Sequence, residues 1–528
     1  MVELYPEFYN DVFGPLMQPG SSSHMAAPCR AGFLCNSLLG EDVAGILVEM
    51  DQEGSFTGTF GQMNEDLGML NGAMGRMPDD AGFFSIKPYL REQGIPFRFD
   101  FCSMKESPHI NALKFTLTGV SGKTATLVAN STGGGMIETV YVNGYAFSGK
   151  GDTYVLCVFD PEQSLNEREV QDLVARRQTV MEQGSGQGRQ GGVMHWFKLD
   201  GPPNGELSAA LTELSWAVMK PVLPVPTTTA KRPQLFDTMA AWRQLASEQG
   251  KSLPDVAIDY EVAASGWSRE QVVSYMRDVL KPAMHRRTHA LYEEPVTPLC
   301  TPFTELHYQK WDSSMSTLPL DLGVISKSIR YVMAGQPPVP GVLNVPGPMG
   351  TGGGFLYGAV SAVQEELGLS EDDVLRGLFV GAGVGAICYT RTSPTGEVIG
   401  CTGECGCCAA MTAAAITEML HGTPEQVEAA ASFALQSAVG WPCDPIPGGK
   451  DMPCMARVLF IASMSIVFSQ WALAGQDPVL PFHEVVDVAD KIGRGLSGDL
   501  LCTARGGHCD TPTARCVTAR FRAWHHQQ

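Results

Sequence analysis

The stretch VLRGLFVGAGVGAICY, residues 374–389, decides the fold of the C-terminal half of the chain. Its large apolar residues recur with the period of a helix, and glycine and alanine fill many of the positions between them. Similar runs cover 355–367 and 408–420. Small residues let helices approach closely, as they must around a buried cofactor. The glycines of 381–385 lack the spacing of a dinucleotide fingerprint and no strand precedes them, so we expect close helix packing instead.

Outward from this stretch, nearly the whole chain after Pro233 fits helical periodicity. Further helices are predicted at 235–248, 268–279, 320–333, 423–439 and 455–474. We therefore predict a helical domain over 233–528. The run 455–475 is apolar enough to resemble a membrane span, but Arg457 near its start and Gln470 inside it favour a buried helix, and we expect no membrane association.

The N-terminal half has a different pattern, which predicts an α+β protein overall. Residues 1–144 alternate short apolar strands with turns and form an α+β domain. Strands are expected at 45–50, 112–117 and 124–129, and a helix at 65–77. Residues 145–226 contain two strand–helix–strand units and predict a ferredoxin-like module. Its expected elements are strands at 153–159 and 194–199, helices at 165–181 and 205–218, a flexible run at 183–188, an extended piece at 221–226 and then a linker to 229.

Composition excludes several classes of function. The chain has 528 residues, 44% hydrophobic and 18% charged, which suits a globular protein with several cores. With 37 basic and 56 acidic residues the net charge is −19, so we expect no nucleic-acid partner. The N-terminus, MVELYPE, lacks the basic start and apolar run of a secretory signal. We expect a cytoplasmic protein whose thiols stay reduced.

The cysteines are too many and too clustered to be incidental in such a compartment. Of fifteen, six lie between Cys401 and Cys454, and three more are Cys502, Cys509 and Cys516. Since a disulfide framework is not expected in a large cytosolic protein, this clustering points to ligation of a metal or a cluster.

Three cysteines lie in turn contexts beside predicted helices: GCTGE around Cys401, WPCDP around Cys443 and MPC ending at Cys454. Adjacent prolines fix the backbone there, which is how a rigid scaffold presents thiolates to one point. Three thiolates suit a [4Fe-4S] cluster with one iron open. Structural zinc is the alternative, because Cys405, Cys407 or Cys408 could supply a fourth ligand.

Two N-terminal motifs carry small polar groups. Ser21, Ser22 and Ser23 follow Pro19-Gly20, and their hydroxyls suit either a carboxylate ligand or a helix N-cap. His24 comes next and could act as a base or as an orienting donor. Thr132 with Gly133, Gly134 and Gly135 allows backbone amides to approach a carboxylate, although a hairpin bulge has the same pattern.

Together these motifs resemble those of the iron-sulfur-dependent L-serine dehydratases. The three cysteine motifs stand in the family's order, 42 and 11 residues apart. Gly20–His24 is similar to the family's Gly-Pro-Ser-Ser-Ser-His-Thr, Ser131–Gly135 to its Ser-Ile-Gly-Gly-Gly, and Thr503–Gly507 to its Thr-Ser-Arg-Gly-Gly. The resemblance covers both ends of the chain and, more loosely, its middle.

The resemblance implies elimination chemistry without pyridoxal phosphate. The open iron of a [4Fe-4S] cluster would act as a Lewis acid on the β-hydroxyl while a base removes the α-proton. An amino-acid substrate would give an enamine and then a 2-oxo acid and ammonia. The implied architecture, an α+β domain, an ACT-type module in some relatives and a helical cluster domain, agrees with the division above. The module has no Arg-Pro-Gly-Val-like effector loop. A homodimer could form through the module.

Carried over residue by residue, the resemblance implies a site. The cluster ligands would be Cys401, Cys443 and Cys454, with Cys516 as a resting-state ligand of the open iron and Cys509 as the alternative to Cys516. The catalytic residues would be His24 and Glu65. The residues that bind the substrate would be Ser21, Ser22, Ser23, Thr132, Gly133, Gly134, Gly352, Gly353 and Arg505.

Two departures leave the substrate open. Residues 61–66 read GQMNED where the family carries Gly-His-His-Thr-Asp, so either Glu65 or His24 is the base, or the substrate differs from L-serine. Residues 347–354 read GPMGTGGG where the family carries Pro-Thr-Asn-Gly-Ala, which reshapes the pocket. The alternatives are a cysteine-desulfidase-like or biosynthetic dehydratase reaction, and a non-catalytic cluster or zinc protein that binds amino acids.

Overall fold

The computed structural model describes residues 5–14, 16–226, 233–347 and 352–528. It is an α+β protein, as predicted, with two β-sheets and their helices in the N-terminal part and helices throughout the C-terminal part. The linker predicted to end at residue 229 is described only as far as Pro226, and its last three residues lie outside the described chain.

The first sheet has six strands and is covered by α1. Its strands are β1 (Val43–Asp51), β2 (Phe97–Cys102), β3 (Ala112–Gly119), β4 (Thr124–Gly133), β5 (Met136–Val142) and β6 (Tyr145–Gly149). They lie in the order β2-β1-β3-β4-β5-β6, and only the β1–β2 pair is parallel. The helices are α1 (Ala27–Leu39), α2 (Ser55–Thr59), α3 (Glu65–Ala73) and α4 (Ile86–Glu92). Alternate residues of β1 and β3, among them Val48 and Phe115, are buried beneath α1.

The second sheet has the order of a ferredoxin-like module. Its elements are β7 (Tyr154–Asp160), α5 (Glu167–Ala175), β8 (Val180–Gln187), β9 (Val193–Leu199), α6 (Gly205–Ala210) and β10 (Ser215–Met219). The strands are antiparallel in the order β10-β7-β9-β8. The flexible run expected at 183–188 is instead most of β8. Its glycines allow neighbouring groups to approach the strand closely, since a side chain at Gly184 would overlap Trp196 and one at Gly186 would overlap the Ala146 carbonyl.

The C-terminal part is helical, and the predicted helices are confirmed within a few residues. They are α7 (Met239–Gln249), α8 (Leu253–Ser265), α9 (Arg269–Ser274), α10 (Lys281–Glu293), α11 (His307–Ser314), α12 (Val324–Ala334), α13 (Gly352–Leu367), α14 (Glu371–Arg391), α15 (Gly396–Ile399), α16 (Cys407–Met419), α17 (Pro424–Ala438), α18 (Cys454–Leu473), α19 (Phe482–Gly493) and α20 (Pro512–His525). The glycines of α14 allow the close packing inferred from the sequence, because a Cβ at Gly383 would overlap the Trp242 ring.

Two features cross the predicted domain boundaries, which otherwise stay predictions. Strand β6 pairs with β5, so the first sheet continues past residue 144. The π-helical turn Phe8–Val12 packs into the helical core, where Phe8 stacks on Tyr260 with ring centroids 5.2 Å apart. The N-terminal segment therefore joins the two halves of the protein.

The helix predicted to be buried at 455–475 is buried along one side only. Helix α18 packs on α12, α16 and α17 along one side and exposes an apolar stripe, with Phe460, Val467 and Trp471 each 39–47% accessible. Among the described helices, α14 and α18 are long and apolar enough to cross a membrane by length and composition alone. Most of α14 is buried in the protein and less of α18 is.

Candidate active site

Five cysteines from four segments meet in the helical part. The Cys401 and Cys405 sulfurs lie 3.6 Å apart, at either end of the π-helical turn that leads into α16. The Cys443 thiol, in the loop after α17, hydrogen-bonds to the thiols of Cys401 and Cys502. Cys454, the first residue of α18, is half-buried and interacts electrostatically with Cys401 and Cys502. The structure thus brings together the three cysteines of the predicted cluster.

Backbone hydrogen bonds hold Cys502 beside Cys443. The Cys443 amide donates to the Leu500 carbonyl at 2.8 Å, and the Cys502 amide donates to the Cys443 carbonyl at 2.7 Å. Cys502 adopts φ +61°, a left-handed conformation that non-glycine residues rarely hold without surrounding support. Its thiol is buried and fixed at the centre of the site.

Arg457 supplies positive charge to these thiols from the second turn of α18. Its guanidinium donates to the Pro442 carbonyl and to Asp444 Oδ1, each at 2.8 Å, and so braces the Cys443 loop. Hydrogen bonds from the Cys405 and Cys443 thiols, together with Arg457, lower the pKa of Cys401 well below its usual range, although burial acts in the opposite direction. A ready thiolate is the form that binds metals.

The other cysteines lie elsewhere. The Cys407 thiol hydrogen-bonds the Cys388 thiol, and Cys408 lies in the helical core. Of the three cysteines considered as a fourth zinc ligand, Cys405 is therefore the one that contacts Cys401. Cys509 is buried, with its thiol against the Pro445 carbonyl at 3.0 Å. Cys516 is exposed on α20, and that position gives no support to its expected role on an open iron.

His24 lies against this thiol cluster and is bound on both ring nitrogens. Nδ1 lies 3.1 Å from Glu397 Oε1, and Nε2 lies 2.7 Å from Ser55 Oγ. The ring also hydrogen-bonds the Cys502 thiol, and the ligand atoms of His24, Glu397 and Cys502 all lie within 4.8 Å of one another. Ser55 Oγ donates to the Cys502 carbonyl at 2.5 Å. The His24 imidazole therefore joins the N-terminal sheet domain to the cysteines.

The His24–Glu397 pair is an ion pair removed from water. Burial raises the cost of charge on Glu397, but the hydrogen bond and charge of His24 outweigh it and lower the pKa of Glu397 to about 2. Burial likewise acts against the imidazolium, yet the charges of Cys502 and Glu397 raise the pKa of His24 well above its usual value. Glu397 and Cys502 thus stabilise the protonated ring.

The three serines before His24 have different surroundings. Ser21 is the N-cap of the turn Ser22–Ala26, and its Oγ accepts from the His24 amide at 3.2 Å. Of the two roles predicted for its hydroxyl, Ser21 therefore has that of a helix N-cap. Ser22 is buried. Ser23 Oγ donates to Glu397 Oε1 at 2.7 Å, and the Ser23 carbonyl accepts from Ser131 Oγ at 2.8 Å. Ser23 therefore holds the carboxylate that orients His24.

The glycine loop after β4 is both a hairpin irregularity and a point of close contact. The β4–β5 register shifts between Ser131 and Gly133, and Thr132 is half-buried there. A Cβ on Gly133, at φ +101°, would lie 2.8 Å from Thr395 Cβ. Because Thr395 Oγ1 donates to Glu397, the loop supports the carboxylate that pairs with His24.

Replacing Gly133 with alanine is expected to damage both stability and activity. The new methyl would push Thr395 and so displace Glu397, in addition to about 1 kcal/mol of backbone strain. Gly122→Ala is the matched control, since Gly122 has φ +85° but open space around it. Thermal melting and a steady-state assay of both variants check this. Equal losses in the two variants would contradict a role for the contact with Thr395.

Glu65, the second predicted catalytic residue, is fully buried at the start of α3. Its carboxyl accepts from Thr59 Oγ1 at 2.8 Å and from the Met63 amide at 3.0 Å. Burial raises the pKa of Glu65 to about 8, so the group is mostly protonated at neutral pH. A neutral carboxylic acid is a poor base, and Glu65 is not among the described groups that contact the thiols, whereas His24 contacts Cys502.

Glu65→Gln is expected to stabilise the protein increasingly as the pH rises. In the folded state Glu65 keeps its proton up to about pH 8, while the unfolded chain releases it near 4.5. The unfolded state therefore binds fewer protons in this window, and the wild type loses a few kcal/mol between pH 4.5 and 8. Melting temperatures from pH 5.5 to 8.5 should show a growing advantage for Glu65→Gln. The exposed Glu92→Gln should show none, and a constant difference would mean that Glu65 is ionised.

The remaining predicted substrate residues lie on two other segments of the chain. Arg505 is exposed and forms ion pairs with Asp499 at 2.9 Å and Glu53 at 2.8 Å. Gly352 and Gly353 begin α13, while residues 348–351 of the same segment lie outside the described chain. Arg505 therefore links the helical part to the N-terminal domain in this structure.

The segment that carries these cysteines is similar to known proteins. Residues 347–508 match the family described as "Serine dehydratase alpha chain". A "Probable L-serine dehydratase, alpha chain" of Latilactobacillus sakei is 32% identical over 160 residues, which are 30% of this chain and 77% of that protein. The chain belongs to the serine dehydratase alpha-chain family. The matched residues contain Cys401, Cys443, Cys454 and Cys502.

Two other members of the family show how far the similarity extends. The "Probable L-serine dehydratase, alpha chain" of Bacillus subtilis (strain 168) is 36% identical over 162 residues, 31% of this chain and 54% of that protein. The chain thus spans about half the length of that relative. The "L-serine dehydratase, alpha chain" of Peptoniphilus asaccharolyticus is 26% identical over 282 residues, 52% of this chain and 95% of that protein.

Sequence reasoning missed four residues of the site. Ser55 and Glu397 stand in no motif that was singled out, although Glu397 precedes Cys401 by four residues. Cys502 directly precedes the Thr503–Gly507 motif, and Arg457 follows Cys454 by three residues. Proximity to the recognised motifs was the available signal for three of the four.

Proposed function

We propose that this protein is an ammonia-lyase of the serine dehydratase type. It would eliminate water from L-serine or a related β-hydroxy amino acid and release a 2-oxo acid and ammonia. The observation that carries the proposal is the buried His24–Glu397 pair lying in contact with the thiol cluster. The names of the relatives support the same reaction class.

The donor set fits an iron-sulfur cluster. Cys401, Cys443, Cys454 and Cys502 are thiols on four segments, and Arg457 offsets their negative charge. These residues would hold a [4Fe-4S] cluster, with Cys502 taking the place expected for Cys516. Bound there, the cluster would supply a Lewis acid that assists loss of the β-hydroxyl.

The chain's own residues supply the proton chemistry. Glu397 accepts from His24 Nδ1 and fixes the ring orientation, while Ser23 holds Glu397. His24 would act as the base in its neutral form, after release of the Nε2 proton, and taking up the α-proton restores the imidazolium that the carboxylate stabilises. His24, rather than Glu65, is the base in this proposal. The buried surroundings exclude water, which favours retention of the enamine until release.

A structural zinc site is the second candidate. The Cys401 and Cys405 sulfurs lie 3.6 Å apart, which suits two ligands of one tetrahedral ion, and Cys443 with Cys502 could complete the set. Such a protein would bind an amino acid without turning it over.

A substrate panel separates these candidates. Anaerobically purified protein is incubated with L-serine, L-threonine, L-cysteine and D-serine, and 2-oxo acid, ammonia and sulfide are measured. We expect equal amounts of 2-oxo acid and ammonia from L-serine and none from D-serine. Sulfide release as the main activity would favour the desulfidase-like alternative. Binding without turnover of any member, by protein with its metal bound, would contradict the proposal.

A further inference from the structure

Two histidines lie one turn apart on α10, which packs against α12 and α13. They are His285 and His289, and their rings stack with centroids 4.1 Å apart and planes 13° apart. The His289 ring also contacts the ring of Tyr331 on α12, with centroids 4.0 Å apart. Imidazoles at positions i and i+4 of one helix share a face and can bind one metal ion. This pair therefore offers two nitrogen ligands outside the thiol site.

The surroundings of His289 place its proton on Nδ1. The residue is 3% accessible, and Nδ1 lies 3.1 Å from the His285 carbonyl, which can only accept a hydrogen bond. Thr288 Oγ1 lies 2.7 Å from the same nitrogen and donates to the Met284 carbonyl at 3.2 Å, so it can accept from Nδ1. Burial and the neighbouring His285 lower the pKa of His289, which favours the neutral ring. The other ring nitrogen, Nε2, therefore carries a lone pair.

A carboxylate on α13 faces that lone pair. Glu365 Oε1 lies 3.4 Å from His289 Nε2. Its other oxygen, Oε2, accepts from the Tyr331 hydroxyl at 2.7 Å, which fixes the orientation of the carboxylate. Lys327 Nζ lies 3.9 Å from Oε2 but only 3.1 Å from Glu366 Oε2, so Glu366 offsets the charge of this lysine. Oε1 is therefore directed at the imidazole.

The side of the cluster that is open to solvent supplies a third ligand. The His285 side chain is 42% accessible, and its Nε2 lies 3.4 Å from Glu293 Oε2. Because the ring stacks on His289, it must rotate about its side-chain bonds to direct Nε2 at an ion bound by its neighbour. The exposure of His285 leaves room for this rotation and gives an ion a path from solvent.

We propose that His289, Glu365 and His285 bind a zinc ion that joins α10 to α13. A nitrogen lone pair and a carboxylate oxygen repel each other unless a cation lies between them. Two ligand atoms of one tetrahedral zinc ion are about 3.3 Å apart, close to the 3.4 Å between His289 Nε2 and Glu365 Oε1. Two histidines and a glutamate are a known zinc ligand set, and Glu293 or water would complete it. The proposal is independent of the proposed reaction, which uses none of these residues.

Calorimetry with Zn²⁺ on the anaerobic holoenzyme, with its own metal bound, tests this site. Wild type is compared with His289→Gln, Glu365→Gln and His285→Gln, and His421→Gln is the matched control because His421 is an exposed histidine after α16. Wild type and the control should each bind one zinc ion per chain. Each of the three ligand variants should bind zinc at least about 100-fold more weakly, and Tyr331→Phe, which loses an outer partner, about tenfold more weakly.

Cobalt distinguishes this site from the thiols. Co²⁺ bound by nitrogen and oxygen gives visible bands without the sulfur-to-cobalt charge transfer that thiolates produce. We expect that spectrum from wild type and its loss in His289→Gln. Three results would each overturn the proposal: no zinc binding by wild type, equal zinc affinity in wild type and the ligand variants, or a cobalt spectrum of thiolate ligation alone. The His285 and Glu365 side chains are 42% and 40% accessible, so their glutamine variants should fold, and melting curves without zinc check this.

Discussion

Cys443→Ala is expected to remove the cofactor and, with it, all turnover. Cys443 is the thiol that hydrogen-bonds both Cys401 and Cys502, and its backbone holds Cys502 in a strained conformation. Its loss removes a ligand together with its thiol hydrogen bonds, while the backbone hydrogen bonds that hold Cys502 remain. Outer partners of metal ligands commonly contribute 10- to 100-fold to affinity or activity, and loss of a ligand in a three- or four-thiol site should exceed that.

Iron content, acid-labile sulfide and L-serine turnover of the anaerobically purified variant measure this effect. The matched control is Cys516→Ala, because Cys516 is an exposed cysteine on α20. The control should retain wild-type iron and activity. A Cys443→Ala protein with full iron content, or a Cys516→Ala protein that loses it, would contradict the ligand set.

The second large effect is expected for the His24–Glu397 pair. His24→Asn removes the proposed base and should lower kcat by about 10²- to 10⁴-fold, with the cluster still bound. Glu397→Gln removes the charge that stabilises imidazolium while keeping the side-chain shape, and should lower kcat by at least about 10²-fold. The reason is that Nδ1 of His24 loses its carboxylate acceptor.

Steady-state kinetics on variants with verified iron content check this prediction. The exposed Glu425→Gln serves as the control for a change of charge in the helical part. Glu65→Gln provides a further comparison, because a protonated Glu65 should be replaceable with little loss of kcat. If Glu65→Gln were inactive and His24→Asn active, the assignment of the base would be wrong.

The fold was largely predictable from sequence where one periodicity dominates. The helices of the C-terminal part are apolar and alanine-rich over many turns, and the core strands β1, β3 and β4 alternate with period two. Strand β8 was mistaken for a flexible run because its glycines look like a linker. Their function depends on Trp196 and Ala146, which lie close only after folding.

The same reasoning explains which site residues were found. Cys401, Cys443 and Cys454 stand beside glycine or proline in distinctive turns, and the structure places them together. Glu397 and Ser55 become functional only through contact with His24, across 373 and 31 positions of sequence. Cys516 and Arg505 were assigned by similarity to a family motif, but both are exposed in this structure.

Buried unpaired groups could not be predicted at all. Arg30 in sequence is one charged residue on an otherwise apolar helix, and such a residue usually reaches solvent or a carboxylate. Only the packing of α1 against the Gly133–Gly135 loop shows that it does neither.

The most direct test of the central claim is the iron and acid-labile sulfide content of anaerobically purified protein, with its visible spectrum before and after addition of L-serine. The account predicts about four irons and four sulfides per chain and a spectral change that L-serine produces and D-serine does not. Zinc in place of iron, or an iron-sulfur spectrum that L-serine leaves unchanged, would contradict it.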